Sequence, residues 1–196
     1  GGINLFDSNP TFTNVIISGN TGNWSGAVSL ESSNPTLTNV IISGNTGNWS
    51  GGGMYLFDSN PNITNVIISG NTVNGSGGGM YLESSNPTLT NVIISGNTSE
   101  YGYGGGIFLA ESNPNITNVT ISGNTSEHGG GIFFQSSNST LTNSIIWSNN
   151  PQSIYFSDLE NPNNITINYS DIQGAQEGIV TNNNGEIFWF EGNLDT

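Results

Sequence analysis

The single histidine, His128, is where catalysis would first be sought. It follows Ser126 and Glu127 in a glycine-rich stretch. A nucleophile, a base and an orienting acid must face one another in space. Three neighbours in one loop are adjacent only along the chain, so this trio does not specify a triad. The carboxylates offer little more. Asp7, Asp58, Asp158, Asp171 and Asp195 are scattered, and no two are adjacent. There is no Lys, no Arg and no Cys, so cationic bases, thiolate nucleophiles and thiolate metal sites are excluded. The sequence predicts no enzyme, no catalytic residue and no cofactor.

The acids recur with a pattern: Phe6-Asp7, Glu31-Ser32, Phe57-Asp58, Glu83-Ser84, Ala110-Glu111. The carboxylate shifts by one position between successive units. Stacked at a strand spacing of ~4.8 Å, identical charges would repel within a Debye length of ~8 Å. The shift relieves that repulsion. Calcium requires roughly six to eight converging oxygens, so one carboxylate per unit offers weak calcium binding at most. The formal charge is −14. Phosphate backbones and anionic bilayers are bound by cations, and this chain has none, which excludes nucleic acid and anionic membrane surfaces as partners. No apolar run reaches the ~20 residues that insertion into a bilayer needs.

Three further residue sets could form surfaces. Tyr55, Tyr81, Phe108, Phe133 and Tyr155 recur once per unit and suit a carbohydrate platform or a protein interface. Ile16, Ile41, Ile67, Ile93 and Ile145 recur with one Thr120 between them, as an apolar stripe for lateral contact. Thr11/Thr13, Thr36/Thr38 and Thr88/Thr90 form T-x-T pairs, alternating with Asn62/Thr64, Asn115/Thr117 and Asn164/Thr166. Such arrays suit ice. Asn62, Asn115, Asn118 and Asn164 also open N-x-T sequons and are candidate glycan acceptors.

The elements that carry these residues follow from an internal repeat. Units start near residues 1, 26, 52, 78, 105, 130 and 152, with an irregular segment expected over 174–196. The first inward residue of each is Ile3, Val28, Met54, Met80, Ile107, Ile132 and Ile154. Each unit holds three short runs alternating at period two, which predicts strands. No helical period appears. About 25 residues with three strands is one rung of a right-handed parallel β-helix, an all-β solenoid of seven to eight rungs forming a single domain over 1–196. Parity sends Met54, Leu56, Ile63, Val66 and Ile68 inward. One inward column is predicted as Phe12, Leu37, Ile63, Leu89, Ile116, Leu141 and Ile165. Corner columns are predicted for Asn14 through Asn143 to Asn168, for Asn20 through Asn149, and for Pro10 through Pro114 to Pro162. Asn suits left-handed corners and amide stacking.

The unit Gly78-Gly79-Met80-Tyr81 with Ile94-Ser95-Gly96-Asn97 resembles the GGAI-like and FxxN-like tetrapeptides of polymorphic outer-membrane-protein repeats, from right-handed β-helix proteins of bacterial cell surfaces. The segments Asn143–Trp147 and Tyr169–Gly174 resemble the end of such proteins. The resemblance implies this fold and an extracellular or cell-surface location. Lyase-like β-helices use Arg or Lys as the base, and polygalacturonase-like ones use paired Asp. This chain has neither.

These readings converge on a non-catalytic extracellular structural protein. The ends read as uncapped, as in a piece of a longer secreted chain. Head-to-tail self-association is expected, with Ile3 and Leu5 meeting an apolar cluster of Ile187, Phe188, Trp189 and Phe190. Ligand binding, to ice or to glycan, is the alternative, and a polysaccharide-active enzyme comes third.

Overall fold

A computed structural model describes residues 1–194 except Glu160. Asp195 lies outside the described residues. The chain winds into a parallel β-solenoid. The first sheet has eight strands: Ile3–Phe6, Val28–Glu31, Met54–Phe57, Met80–Glu83, Ile107–Ala110, Ile132–Gln135, Ile154–Phe156 and Ile179–Val180. The second sheet, also of eight, runs from Thr11–Thr13 to Gly185–Trp189. The third has seven, from Ile16–Ser18 to Asp171–Ile172. Pairing is parallel throughout, with Met54 opposite Met80 and Ile63 opposite Leu89.

Alternation within each strand builds the core. In Met54–Phe57 the methionine and leucine are fully buried, while Tyr55 and Phe57 face outward. Ile63, Val66 and Ile68 close the same rung from the other two sheets. Each rung thus buries about five apolar side chains in a continuous column, the one non-polar interior that a thin solenoid can have.

The corners are held by side-chain ladders. Asn45, Asn71, Asn97 and Asn124 are buried. The Asn71 amide donates to Asn97 Oδ1 (3.0 Å) and to the Ile42 carbonyl (3.0 Å). Its own Oδ1 accepts from the Asn45 amide (2.9 Å) and from the Asn45 backbone N–H (3.0 Å). An exposed ladder passes through Asn14, Asn39, Asn65, Asn91 and Asn118, all with left-handed backbone, for example φ 56° at Asn39. A third ladder, of Ser33, Ser59, Ser85, Ser112 and Ser137, has each backbone N–H donating to the next hydroxyl at 2.9–3.0 Å. That ladder went unread in the sequence. A Cβ on Gly52 would run into the Gly78 carbonyl oxygen of the next rung, so this corner admits only glycine.

Four expectations are corrected. First, each of the early rungs has a fourth strand of two residues: Thr21–Gly22, Thr46–Gly47, Thr72–Val73 and Thr98–Ser99. Two residues are too few to show a period. Second, the register near the C-terminal end differs. Leu141 pairs with Ile167, and Ile165 pairs with Ser139. Asn168 pairs with Thr142, leaving Tyr169 at the left-handed corner (φ 49°), and Pro162 drops out of the proline column. At Ile165 the slip is two residues, which keeps its side chain on its own face, so parity cannot detect it; Asn168 is displaced by one residue and Pro162 by three, so neither continues its column. Third, the segment 174–196 is not irregular over its described part. It forms a 3-10 turn at Ala175–Gly178 and adds a strand to each of the first two sheets. Fourth, Ile187, Phe188, Trp189 and Phe190 do not cluster. Ile187 and Trp189 pack on the core, whereas Phe188 and Phe190 point outward and are exposed.

Candidate functional site

The outward face of the first sheet carries the aromatic column. Parallel in-register pairing sets Tyr55, Tyr81, Phe108, Phe133 and Tyr155 one above another. Ring centroids are 5.6 Å apart for Tyr55–Tyr81, 4.7 Å for Tyr81–Phe108, 5.2 Å for Phe108–Phe133 and 5.5 Å for Phe133–Tyr155. The upper part is not an open platform. Phe108 and Phe133 are each only 5% exposed although they face outward. Tyr103 stacks on Phe133 at 4.8 Å, and His128 stacks on Tyr155 at 4.7 Å. The rung-connecting loops therefore roof the upper column.

The loop column changes residue lower down. Tyr103 bridges to His128, and its backbone N–H donates to Ser76 Oγ; Ser50 bridges to Ser76. Serine thus stands where the upper rungs have an aromatic ring. Without that roof Tyr55 and Tyr81 are half-buried. The column itself turns small below Tyr55, with Ser29 and then Asn4 in register. Together these changes leave a notch of about 330 Å³ lined by Asn4, Trp24, Ser29, Glu31, Tyr55 and Phe57. Trp24 reaches over from its loop to Tyr55, with centroids 6.4 Å apart and planes tilted by 39°. Tyr55 was named from the sequence as part of a platform. Trp24, like Trp49, Tyr101 and Tyr103, is legible from the sequence as an aromatic of the rung-closing loops; the parts played by Ser29 and Asn4 were missed, although aligning the loops rung by rung exposes the serine-for-aromatic exchange.

Electrostatics here follow burial and the acids. Tyr55 donates its hydroxyl to Glu83 Oε2 at 3.3 Å. Partial burial, then the Glu83 carboxylate, holds its pKa far above the ordinary tyrosine value. Burial and Glu83 likewise push Tyr81 up to about 12. Both rings stay protonated and present donors rather than bases.

The remaining sequence-predicted residues are spread over other faces. The register places Ile16, Ile41, Ile67, Ile93, Thr120 and Ile145 in one outward column on the third sheet. On the second sheet Thr13, Thr38, Thr64, Thr90, Thr117 and Thr142 form one unbroken column. Beside it Thr11, Thr36, Asn62, Thr88, Asn115, Thr140 and Thr166 form another. Asn62 and Asn115 are exposed at its surface. Asn118 gives its amide to Asn91 (3.2 Å) and Asn164 gives its amide to Asn138 (2.7 Å), so a glycan on either would leave a single amide hydrogen for the ladder bond. Ser126 Oγ donates to the His128 carbonyl at 2.7 Å rather than to the imidazole. Among the described residues no His, Asp and Glu set converges as a metal site, and no helix is long and apolar enough to cross a membrane.

Four parallel sheets around one apolar column, with ladders at each corner, define a parallel β-solenoid. A family model for the right-handed β-helix region matches residues 1–98 and 26–194. The chain belongs to the right-handed β-helix family. Among curated proteins none matches it in sequence. Among solved structures, full-length QnrB1, a plasmid-mediated fluoroquinolone resistance protein, is 12% identical over 90% of this chain and 93% of that one, with a TM-score of 0.19. A likeness at that level carries no argument.

Proposed function

We propose that the chain is a non-catalytic structural β-solenoid of the cell exterior that associates by continuing its own rungs. One observation supports this most: the rung-to-rung interface is self-repeating. Met54–Phe57 over Met80–Glu83, Asn62–Thr64 over Thr88–Thr90 and Ile67–Ser69 over Ile93–Ser95 match residue for residue. The upper surface of a rung is thereby complementary to the lower surface of another, whichever chain supplies it. Such a contact is heterologous, and when it does not close it propagates as a filament. Ile3 and Leu5 on one axial face, with Ile187 and Trp189 on the other, are half-buried and pack against the core. The buried Asn and Ser of the ladders serve architecture and not a site.

Negative-stain microscopy and light scattering on the purified 196-residue chain test this. Axial filaments are expected, lost in the Ile3→Asp/Leu5→Asp double variant while its β-sheet circular dichroism persists. A monomer at high concentration, or turnover of a polysaccharide, overturns the reading.

A second reading, ice binding, draws on the register of the second sheet. The pairing of Ile116 with Leu141 also places Thr140/Thr142 on the face, giving six consecutive rungs with Thr in the same column. Rungs repeat at ~4.8 Å and alternate residues at ~6.8 Å, a flat two-dimensional hydroxyl lattice. Thermal hysteresis would support it, and its absence would remove it.

A further inference from the structure

The notch at Trp24 sets unpartnered polar side chains beside exposed aromatic rings. In the corner ladders, by contrast, the side chains are bonded to the next rung: the Asn71 amide donates to Asn97, and the Ser59 hydroxyl accepts from the Ser33 N–H. In the notch, the Asn4 amide, the Ser29 hydroxyl, the Glu31 carboxylate and the Trp24 indole N–H have no hydrogen-bond partner among the described residues. All four border one concavity. Three aromatic rings form the rest of its wall, and Trp24 leaves 64% of its surface open.

We propose that this notch binds one sugar ring of a neutral polysaccharide. A pyranose has an apolar face of C–H groups, which stacks on an aromatic plane, and a rim of hydroxyls. Trp24 and Phe57 offer such planes, and Tyr55 supplies the back wall. Asn4, Ser29 and Glu31 supply a donor, a mixed donor-acceptor and an acceptor for the rim. Charge narrows the class. With Glu31 in the wall, Glu83 one rung pair away on Tyr55, and a chain charge of −14 without Lys or Arg, uronates and sulfated sugars are repelled. The set also differs from an aromatic cage for a quaternary ammonium ion. A quaternary ammonium uses aromatic faces and a carboxylate but leaves the Asn4 and Ser29 donors unmatched, which costs affinity when they are covered. The binding mode is local to the lower rungs. In the upper rungs Tyr103 and His128 already occupy the corresponding space against Phe133 and Tyr155.

Sugar binding at the notch does not require filament formation, and the experiment reads the two separately. Cellohexaose, xylohexaose and chitohexaose are titrated calorimetrically into the parent chain, whose notch strand Ile3–Phe6 is unaltered, while light scattering on the same samples reports assembly. Polygalacturonate and choline serve as contrasting probes. At least one neutral hexasaccharide is expected to bind in the micromolar to millimolar range. Trp24→Ala should weaken it tenfold or more, and Glu31→Gln severalfold. Both side chains are exposed, and unchanged melting curves confirm folding. Trp49→Ala, exposed on the adjoining loop outside the notch, should leave affinity within twofold. No binding of any neutral hexasaccharide, equal loss in Trp49→Ala, or preference for choline or polygalacturonate would each overturn the proposal.

Discussion

Replacing Asn71 by Ala should be among the most damaging single changes in this chain. Asn71 is 0% exposed. Its side chain makes four hydrogen bonds, two donated and two accepted. Alanine removes all four and leaves buried partners behind: the Asn45 backbone N–H, one Asn45 amide hydrogen and the Ile42 carbonyl. A net bond is worth about 1 kcal/mol, and an orphaned buried group costs about 1–3 kcal/mol, though relaxation and water recover part. The expected loss is therefore about 3–5 kcal/mol. Aspartate at this position would keep the acceptor but place a charge against the Ile42 and Asn97 oxygens, so Asn71→Asp should be worse still. Urea unfolding measures the total. A solenoid is quasi-one-dimensional, and rungs can open separately, so hydrogen exchange locates the effect. The Asn45 N–H should lose protection, while amides three rungs away, such as Ile146, should keep theirs. The contrasting variant is Asn91→Ala in the exposed ladder. There two exposed amide bonds, of 3.1 and 3.2 Å, and a left-handed backbone (φ 55°) are at stake, worth about 1–2 kcal/mol because water replaces the lost partners. If Asn71→Ala unfolds within about 0.5 kcal/mol of the parent, or no more easily than Asn91→Ala, the reasoning from buried amide satisfaction is refuted.

Gly52→Ala should cost about 3 kcal/mol or more, because its Cβ meets the next rung's backbone, whereas Gly70→Ala, with open space but φ 60°, should cost only about 1–2 kcal/mol; thermal melts rank the two. Tyr81 ionises from a folded-state value of about 12 against 10.0 when unfolded, so its stabilisation is intact below pH 10 and lost as pH rises through 12. After discounting for partial exposure, that loss is about 1 kcal/mol, and Tyr81→Phe should remove it from urea midpoints measured between about pH 9 and 12. Tyr169→Asn should raise stability by about 0.5–1 kcal/mol by giving the last left-handed corner the residue that its predecessors use; a lower melting temperature would count against the corrected register.

The rung was legible because its core residues alternate in short runs between fixed turn residues. Met54, Leu56, Ile63, Val66 and Ile68 could be sent inward from parity alone, and the two Asn columns followed from spacing. The register of Ile165 was not legible, since a slip of two preserves parity; Asn168 and Pro162, off by one and by three, were placed by residue type in a segment where Asn and Pro recur off the column. The serine ladder was hidden because Ser59 and Ser85 look like ordinary turn residues until their N–H groups must be satisfied. Burial of the outward Phe108 and Phe133 depends on Tyr103 and on loops from neighbouring rungs, a non-local effect that no strand shows by itself. The notch at Trp24 depends on the same loops through Ser50 and Ser76. It marks where the repeat departs from itself, so a reading built on regularity passes over it.

The parallel register also fixes how the molecule would bear load. Every inter-rung backbone bond lies along the solenoid axis, as in Met54 N–H to the Gly79 carbonyl (2.9 Å). Tension along that axis pulls each bond end-on, one rung interface at a time, and is not shared across a sheet in shear. Extension should therefore proceed by peeling. A rung such as Met54 to Met80 releases roughly 80 Å of slack when it lets go, given ~3.4 Å per extended residue. Sideways, the same stack behaves as a stiff rod, because bending must stretch whole sheets at once. The chain is thus brittle along its axis and rigid across it, like a column of stacked discs threaded on one cord.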